Sequence, residues 1–243
     1  MNDDHGTPLT DAHRAKFHED GFLVVDSLTT PEELAALRPV YDRLFEPEAV
    51  ADRDRIELAG TELPQVLNPD HYAPELLDTA AWRNANAIAR LLLGPGTVST
   101  GTHAILKPAR TGVETPWHQD EAYWDPARDH FAISVWIPLQ PAVEDNGCMH
   151  FQPGSNRLPV LPHRLVDPDS HGLVLVDTDV VVDSVACPLP LGAATVHGNR
   201  TLHYSGPNTS DQPRRALIMS FARPSQPREE PRTFPWQRSE WVA

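Results

Sequence analysis

Apolar positions in this chain change period near Gly94, and the change separates two kinds of element. Residues 10–19 (TDAHRAKFHE) read as a short polar helix stopped by Asp20-Gly21, and Phe22–Val25 follows as an apolar strand. Thr30-Pro31-Glu32-Glu33 is a helix start, with a Thr N-cap, Pro at the first helical position and Glu three residues after the cap. Leu34, Leu37, Tyr41 and Leu44 then repeat at helical spacing, and Pro39 marks a point where this helix can bend. A third helix, from about Ala80 to Leu93, presents Ala81, Ile88, Leu91 and Leu92 before Gly94 ends it. The first 95 residues are thus expected to be helical with one early strand.

Beyond Gly94 the apolar runs are short or alternating: 98–106, 131–139, 148–152, 180–187, 193–197 and 214–223. Turn formers separate them at Pro108, Pro126, Asp145-Asn146-Gly147, Pro153-Gly154-Ser155, Pro188–Gly192 and Gly206-Pro207-Asn208. Many short strands with regular turns suggest an antiparallel barrel or double-sheet jelly roll. Helices first and strands afterwards suggest an α+β, mainly β, single domain over 1–243. Its helical part, about 1–95, would buttress one face of a β core at about 96–223. The tail, 224–243, has no period and reads as irregular, with Trp236 and Trp241 available to pack it.

Composition changes this picture only in places. Forty percent hydrophobic and 22% charged residues in 243 place the chain among globular proteins, so the 25 prolines punctuate strands rather than mark disorder. Two cysteines, Cys148 and Cys187, exclude a disulfide framework and a Cys-based zinc site; Cys148 reads as a small buried hydrophobe. A net charge of −14 excludes nucleic acid as a general partner and disfavours an anionic membrane. No apolar run approaches the roughly 20 residues of a membrane span. The start, MNDDHGTPLTD, and the end, SEWVA, carry no secretory, transit, peroxisomal or ER-retention signal, so a cytoplasmic location is expected. A small-molecule partner remains, and the oligomeric state is not legible.

The chemistry concentrates in Trp117-His118-Gln119-Asp120. At a strand end residues i and i+2 project to one side, so His118 and Asp120 would point together into a barrel mouth. With a distant second His they make the two-His, one-carboxylate set of non-haem Fe(II) oxygenases, which leaves open positions on the metal. Downstream stands HGNRTLHYSGPN, from His197 through His203 to Asn208, and eleven residues after His203 comes Arg214. A strand-borne Arg near a metal suits a carboxylate held by two hydrogen bonds, and the far carboxylate of 2-oxoglutarate is the natural candidate. Arg215 is the rival, and the spacing from His203 favours Arg214.

Longer motifs surround this set. DGFLVVDSLTTPEELAALR, PWHQDEAYW, VWIPLQPAVEDNGCMHFQPGSN and LHYSGPNTSDQPRRA together resemble the phytanoyl-CoA dioxygenase family of Fe(II)/2-oxoglutarate-dependent oxygenases over nearly the whole chain. The resemblance implies a double-stranded β-helix with iron held by His118, Asp120 and His203. It implies 2-oxoglutarate held by Arg214 with help from Ser205, and Trp136, His103 and Gln65 lining that site. Gln65 stands where some relatives carry Lys. In this resemblance SGPN follows the second ligand, which favours His203 over His197 and leaves His197 a structural role. Asp120 is retained, whereas halogenating relatives have a small residue there, so halogenation is disfavoured.

The expected reaction couples dioxygen and 2-oxoglutarate to oxidation of an unactivated C–H bond, hydroxylation first, with epimerisation, ring closure or desaturation as alternatives. A short chain without an organelle signal points to tailoring of a specialised metabolite, and lysine only at Lys16 and Lys107 fits an acyl-CoA poorly. Trp117, Tyr123 and Trp124 are candidates for a substrate wall. His150 reads as a strand histidine, and Asn146-Gly147 as a hairpin turn. Two other classes compete. A zinc hydrolase on the same three ligands would have no use for Arg214; a vestigial metal-binding jelly roll would bind metal without turnover.

Overall fold

The computed structural model describes residues 9–57, 63–168 and 171–237. The elements run α1 (Asp11–Asp20), β1 (Phe22–Val25), α2 (Pro31–Arg43), β2 (Arg55–Glu57), β3 (Pro64–Leu67), α3 (Ala80–Leu93), β4 (Val98–Lys107), β5 (Thr115–His118) and β6 (Arg128–Pro138). They continue β7 (Met149–Phe151), β8 (His163–Leu165), β9 (Leu173–Leu175), β10 (Val185–Cys187), β11 (Ala194–Gly198), β12 (His203–Ser205) and β13 (Arg214–Pro227). A seven-stranded sheet has the order β1-β11-β6-β13-β4-β3-β2, and a four-stranded sheet the order β10-β7-β12-β5. All the pairings are antiparallel, and β8–β9 form a separate pair.

Period-two alternation gives the large sheet two different faces. Ile133, Val135 and Ile137 of β6, Ala194 and Val196 of β11, and Leu217, Met219 and Phe221 of β13 form one core with Leu34, Leu37 and Tyr41 of α2 and Ala81, Ala85 and Ile88 of α3. Their neighbours Trp136 and Ala216 turn the other way, into a smaller core with Met149, Phe151 and Cys187 of the small sheet. The central strands are buried on both faces and so read as continuous apolar runs. The helices do buttress one face, as the jelly-roll reading expects. Two strands that it lacked, β2 and β3, extend the large sheet from within the helical part.

The helix starts follow the sequence, with one exchange. Thr10 and Thr30 accept from the N–H groups of His13 (3.3 Å) and Glu33 (3.2 Å). Glu33 does not reach back to its own cap. Its carboxylate accepts from the N–H groups of Ala80 (2.6 Å) and Ala81 (2.9 Å), at the start of α3. One side chain therefore joins α2 to the positive end of α3. The second helix runs unbroken through Pro39.

Strand boundaries differ where side chains satisfy the backbone. The run 180–187 forms a strand only at Val185–Cys187, because Gln152 Oε1 accepts from Val182 N (3.1 Å) and Asp183 N (3.2 Å). Asn146-Gly147 is not a two-residue hairpin turn. A 3-10 turn at Glu144–Asn146 ends on Gly147, whose φ of 80° and contact with the Gly206 carbonyl leave no room for a Cβ. β13 continues past residue 223 to Pro227, after a register shift. The segment behind it packs through Trp236, as expected, while Trp241 lies outside the described residues.

Candidate active site

His118 ends β5 and lies directly opposite His203, which begins β12. Asp120 opens the 3-10 turn Asp120–Tyr123 that follows β5. One donor atom from each of the three lies within 4.8 Å of the others. Each imidazole is oriented by its own backbone. His118 Nδ1 bonds the Pro116 carbonyl (2.8 Å) and His203 Nδ1 the Thr201 carbonyl (2.9 Å). An Nδ1–H given to a carbonyl leaves a lone pair on Nε2, and those atoms stand 3.7 and 3.5 Å from Asp120 Oδ1.

The other carboxylate oxygen is held from the large sheet. Ser134 Oγ donates to Asp120 Oδ2 at 3.1 Å, and His197 Nε2 lies 3.5 Å from the same oxygen. Ser134 and His197 are paired residues of β6 and β11, so strand register brings them to the carboxylate together. Oδ1 therefore faces the two imidazoles while Oδ2 is fixed from behind. Burial pushes the Asp120 carboxyl up, but His203, the hydrogen bond from His197, and His118 outweigh it and keep the group ionised. Burial also holds His118 and His203 below the usual imidazole range, against the pull of Asp120. Two neutral nitrogens and one carboxylate oxygen suit a divalent ion with positions left open, so the donor set fits Fe(II). His197 touches Asp120 but stands outside the three-donor group.

The co-substrate candidates line the same interior face. Arg214 starts β13 and is buried, with Nε and Nη1 both lacking a hydrogen-bond partner among the described residues. Its guanidinium carbon is 5.3 Å from the centroid of the Trp136 ring. Burial lowers its pKa to about 10. A buried guanidinium with two orphaned donors fits a carboxylate ligand. Its neighbour Arg215 faces outward and is spent on Asp42 of α2, at 2.6 and 3.1 Å. Ser205 is buried beyond His203, its hydroxyl donating to the Gly147 carbonyl at 2.9 Å. His103 is half-buried, its Nε2 enclosed and without a partner among the described residues, and its pKa is lowered to about 4 by burial against the charge of Asp120. Gln65, also buried, pairs with Ile105 of β4.

The aromatic candidates separate. Tyr123 sets its ring edge-on to His118, 6.3 Å between centroids, and its hydroxyl accepts from Leu173 N at 2.8 Å. Trp124 lies against His130 at 5.2 Å. Trp117 is not beside the metal ligands. The alternation that turns His118 inward turns Trp117 outward, where it stacks on Tyr204 (5.4 Å, 18°). His150 is a strand residue on that outer side, 5.6 Å from Tyr204.

The segment carrying Asp120 is also gripped from two directions. Buried Gln119 donates to the carbonyls of Arg200 (2.8 Å) and Pro159 (3.2 Å) and accepts from Leu161 N (2.8 Å). Glu121 is buried and receives Arg232 Nη1 (2.7 Å) and Asn199 Nδ2 (2.6 Å). Trp236 Nε1 and Gln237 Nε2 then donate to the Ala122 carbonyl, at 3.0 and 2.9 Å. Sequence reasoning missed Ser134, Glu121 and Arg232, whose contacts depend on register or on residues more than 100 positions away.

Comparison with known proteins agrees with this geometry. The family model for phytanoyl-CoA dioxygenase (PhyH) matches residues 17–216. The chain belongs to the phytanoyl-CoA dioxygenase family. A probable alpha-ketoglutarate-dependent hypophosphite dioxygenase of Stutzerimonas stutzeri is 32% identical over 165 residues, 66% of this chain and 57% of that protein. An ectoine dioxygenase of Sphingopyxis alaskensis is 27% identical over 155 residues, 62% of this chain and 51% of that protein. The matched region thus spans little more than half the length of these curated relatives. Among solved structures, EvdO2 from Micromonospora carbonacea var. aurantiaca complexed with 2-oxoglutarate is 40% identical, with a TM-score of 0.83, over 95% of this chain and 98% of that one.

Proposed function

We propose that this member of the phytanoyl-CoA dioxygenase family is an Fe(II)- and 2-oxoglutarate-dependent oxygenase that hydroxylates an unactivated C–H bond of a small specialised metabolite. The observation that carries the reading is the pairing of His118, Asp120 and His203 with a buried guanidinium, Arg214, that has no carboxylate partner among the described residues. EvdO2, solved with 2-oxoglutarate, is similar over nearly the full length of both chains and supports the same co-substrate here. A zinc hydrolase would leave Arg214 without a purpose.

His118, Asp120 and His203 would hold iron, which when bound would supply activation of dioxygen at the expense of 2-oxoglutarate, oxidised to succinate and carbon dioxide. The chain supplies position and dryness. Carbonyls behind His118 and His203 keep Nε2 free to ligate, and Ser134 with His197 aims the carboxylate. Arg214 would take the far carboxylate of 2-oxoglutarate bidentately, with Trp136 beneath it excluding water. Ser205, His103 and Gln65 would line the same pocket. Tyr123, beside His118, would form the near wall for substrate, with Trp124 beyond it. The helices and β core would act as one domain, since α2 grips β13 beside Arg214 through Asp42 and Arg215. A −14 chain has little to offer a polyanion, so the partner would be a small molecule. Among the described residues no helix is long and apolar enough to cross a membrane.

Incubation with ferrous iron, 2-oxoglutarate, dioxygen and a metabolite panel should yield succinate and a product with one added oxygen. Asp120→Ala should abolish both. No succinate with any substrate, and no visible charge-transfer band when ferrous iron and 2-oxoglutarate are added anaerobically, would overturn the reading.

A further inference from the structure

Lys107 has no place in the site described above, yet it is one of the most completely buried side chains in the molecule, at 0% exposure. It ends β4 and is paired directly with Arg214, itself 2% exposed, at the start of β13. Residues paired across antiparallel strands project to the same face with Cβ atoms about 5 Å apart. Ala104 and Leu106 of β4 pack into the helix-side core, which leaves Lys107 on the interior face with Arg214. Two buried basic side chains therefore stand opposite each other inside the fold. Neither forms an ion pair with a carboxylate among the described residues.

The ammonium is fixed rather than mobile. Its Nζ donates to the carbonyls of Ser205, at 2.7 Å, and Gly206, which anchors it to the end of the strand that begins with His203. An ammonium has three protons, so one remains to give. Burial, then the charge of Arg214, disfavours the charged form, and Glu114 opposes them only from the surface, where its carboxylate accepts the Tyr204 hydroxyl at 2.7 Å. Like charges opposite each other on neighbouring strands destabilise a sheet, and burial without a counter-ion adds to the cost. An arriving carboxylate relieves both.

We infer that Lys107 is a specificity-determining residue of the co-substrate pocket: facing Arg214 across the β4–β13 pair, it adds the second positive charge that makes the pocket select a 2-oxo dicarboxylate over a 2-oxo monocarboxylate. The inference rests on the reading of Arg214 as the co-substrate anchor. The planar guanidinium fixes the orientation of the far carboxylate, and the compact ammonium deepens the attraction without demanding a geometry of its own. The two carbonyl bonds keep that charge where the carboxylate arrives.

Calorimetry on the full chain loaded with Ni(II), without turnover, tests it with two probes of equal carbon number, 2-oxoglutarate and 2-oxovalerate. The wild type should prefer 2-oxoglutarate strongly. Lys107→Met and Lys107→Gln should each reduce that preference at least about tenfold, through weaker 2-oxoglutarate binding, with Ni(II) and 2-oxovalerate affinity unchanged. Gln keeps a donor for the Ser205 and Gly206 carbonyls, so it decides the matter if the Met variant does not fold. A folded Gln variant with the wild-type preference would overturn the inference and assign Lys107 to holding the turn alone. A wild type without the preference, or an Arg214→Met variant that retains it, would instead overturn the reading of Arg214 and the inference with it.

Discussion

The two oxygens of Asp120 have different partners, and that division organises the site at the scale of single residues. Oδ1 faces the imidazoles, whereas Oδ2 is bonded by Ser134 and approached by His197. A carboxylate held on one oxygen presents the other in a fixed direction, which groups behind a metal ligand commonly achieve. Ser134→Ala should lower metal affinity by about tenfold while leaving the fold intact, as read by Co(II) titration and near-ultraviolet circular dichroism. Unchanged affinity would show that His197 suffices. His118 and Asp120 were legible because their spacing is local and the motif around them is long. Ser134 and Lys107 were not, since each reaches its partner through strand register, which one sequence does not display. Trp117 shows the converse: the alternation that placed His118 inside placed its neighbour outside.

At the scale of elements, helices were legible because each spans several turns and ends on a glycine or opens on a clear start, as at Thr30-Pro31-Glu32-Glu33. The strands of the small sheet were harder. β7, β10 and β12 have three residues each, too few for a period to show, and β12 was recognisable only through the histidine it carries. The exchanged cap at Glu33 belongs here as well. Capping patterns are local, but this carboxylate had a better use across the interface, at two N–H groups of α3. Glu33→Ala should therefore destabilise the protein by about 1–3 kcal/mol in urea unfolding, with metal affinity unchanged. A loss of only a few tenths would assign the capping of α3 to Thr79 alone, whose hydroxyl accepts from Trp82 N at 3.0 Å.

At the scale of the whole molecule, the large sheet divides a layer of helices from the face that carries His118, Asp120 and His203, and the imidazoles on that side determine the response to pH. His163 is buried and His103 half-buried with its Nε2 enclosed, and both are neutral, each with its pKa lowered to about 4 by desolvation. In the unfolded chain both would take a proton near pH 6.5, so the unfolded state binds more protons below that value. Stability is thus complete above about pH 6.5 and is lost as pH falls toward 4. Each group contributes on the order of 3 kcal/mol, and the ligand imidazoles act in the same direction. Urea unfolding of the metal-free protein at intervals from pH 7.5 to pH 4 should show this loss. His163→Gln, which retains an acceptor for the N–H of Gln119, should reduce it. A flat profile would mean that these imidazoles are solvated.

The segment behind β13 passes Arg232 to Glu121 and Trp236 to Ala122, the two residues that follow Asp120. Whatever steadies Asp120 must steady this segment in equal measure, since coupling between two sites is reciprocal. Its susceptibility to trypsin, which cuts after Arg228 and Arg232, should then report how much of a preparation is charged with metal. Cleavage should be rapid in chelator and slow with Co(II) or Fe(II), and a fragment ending at Arg228 should hold metal more weakly than the intact chain. Equal cleavage rates in both states would break the link. A protease and a gel would then assay the iron centre without substrate, dioxygen or spectroscopy.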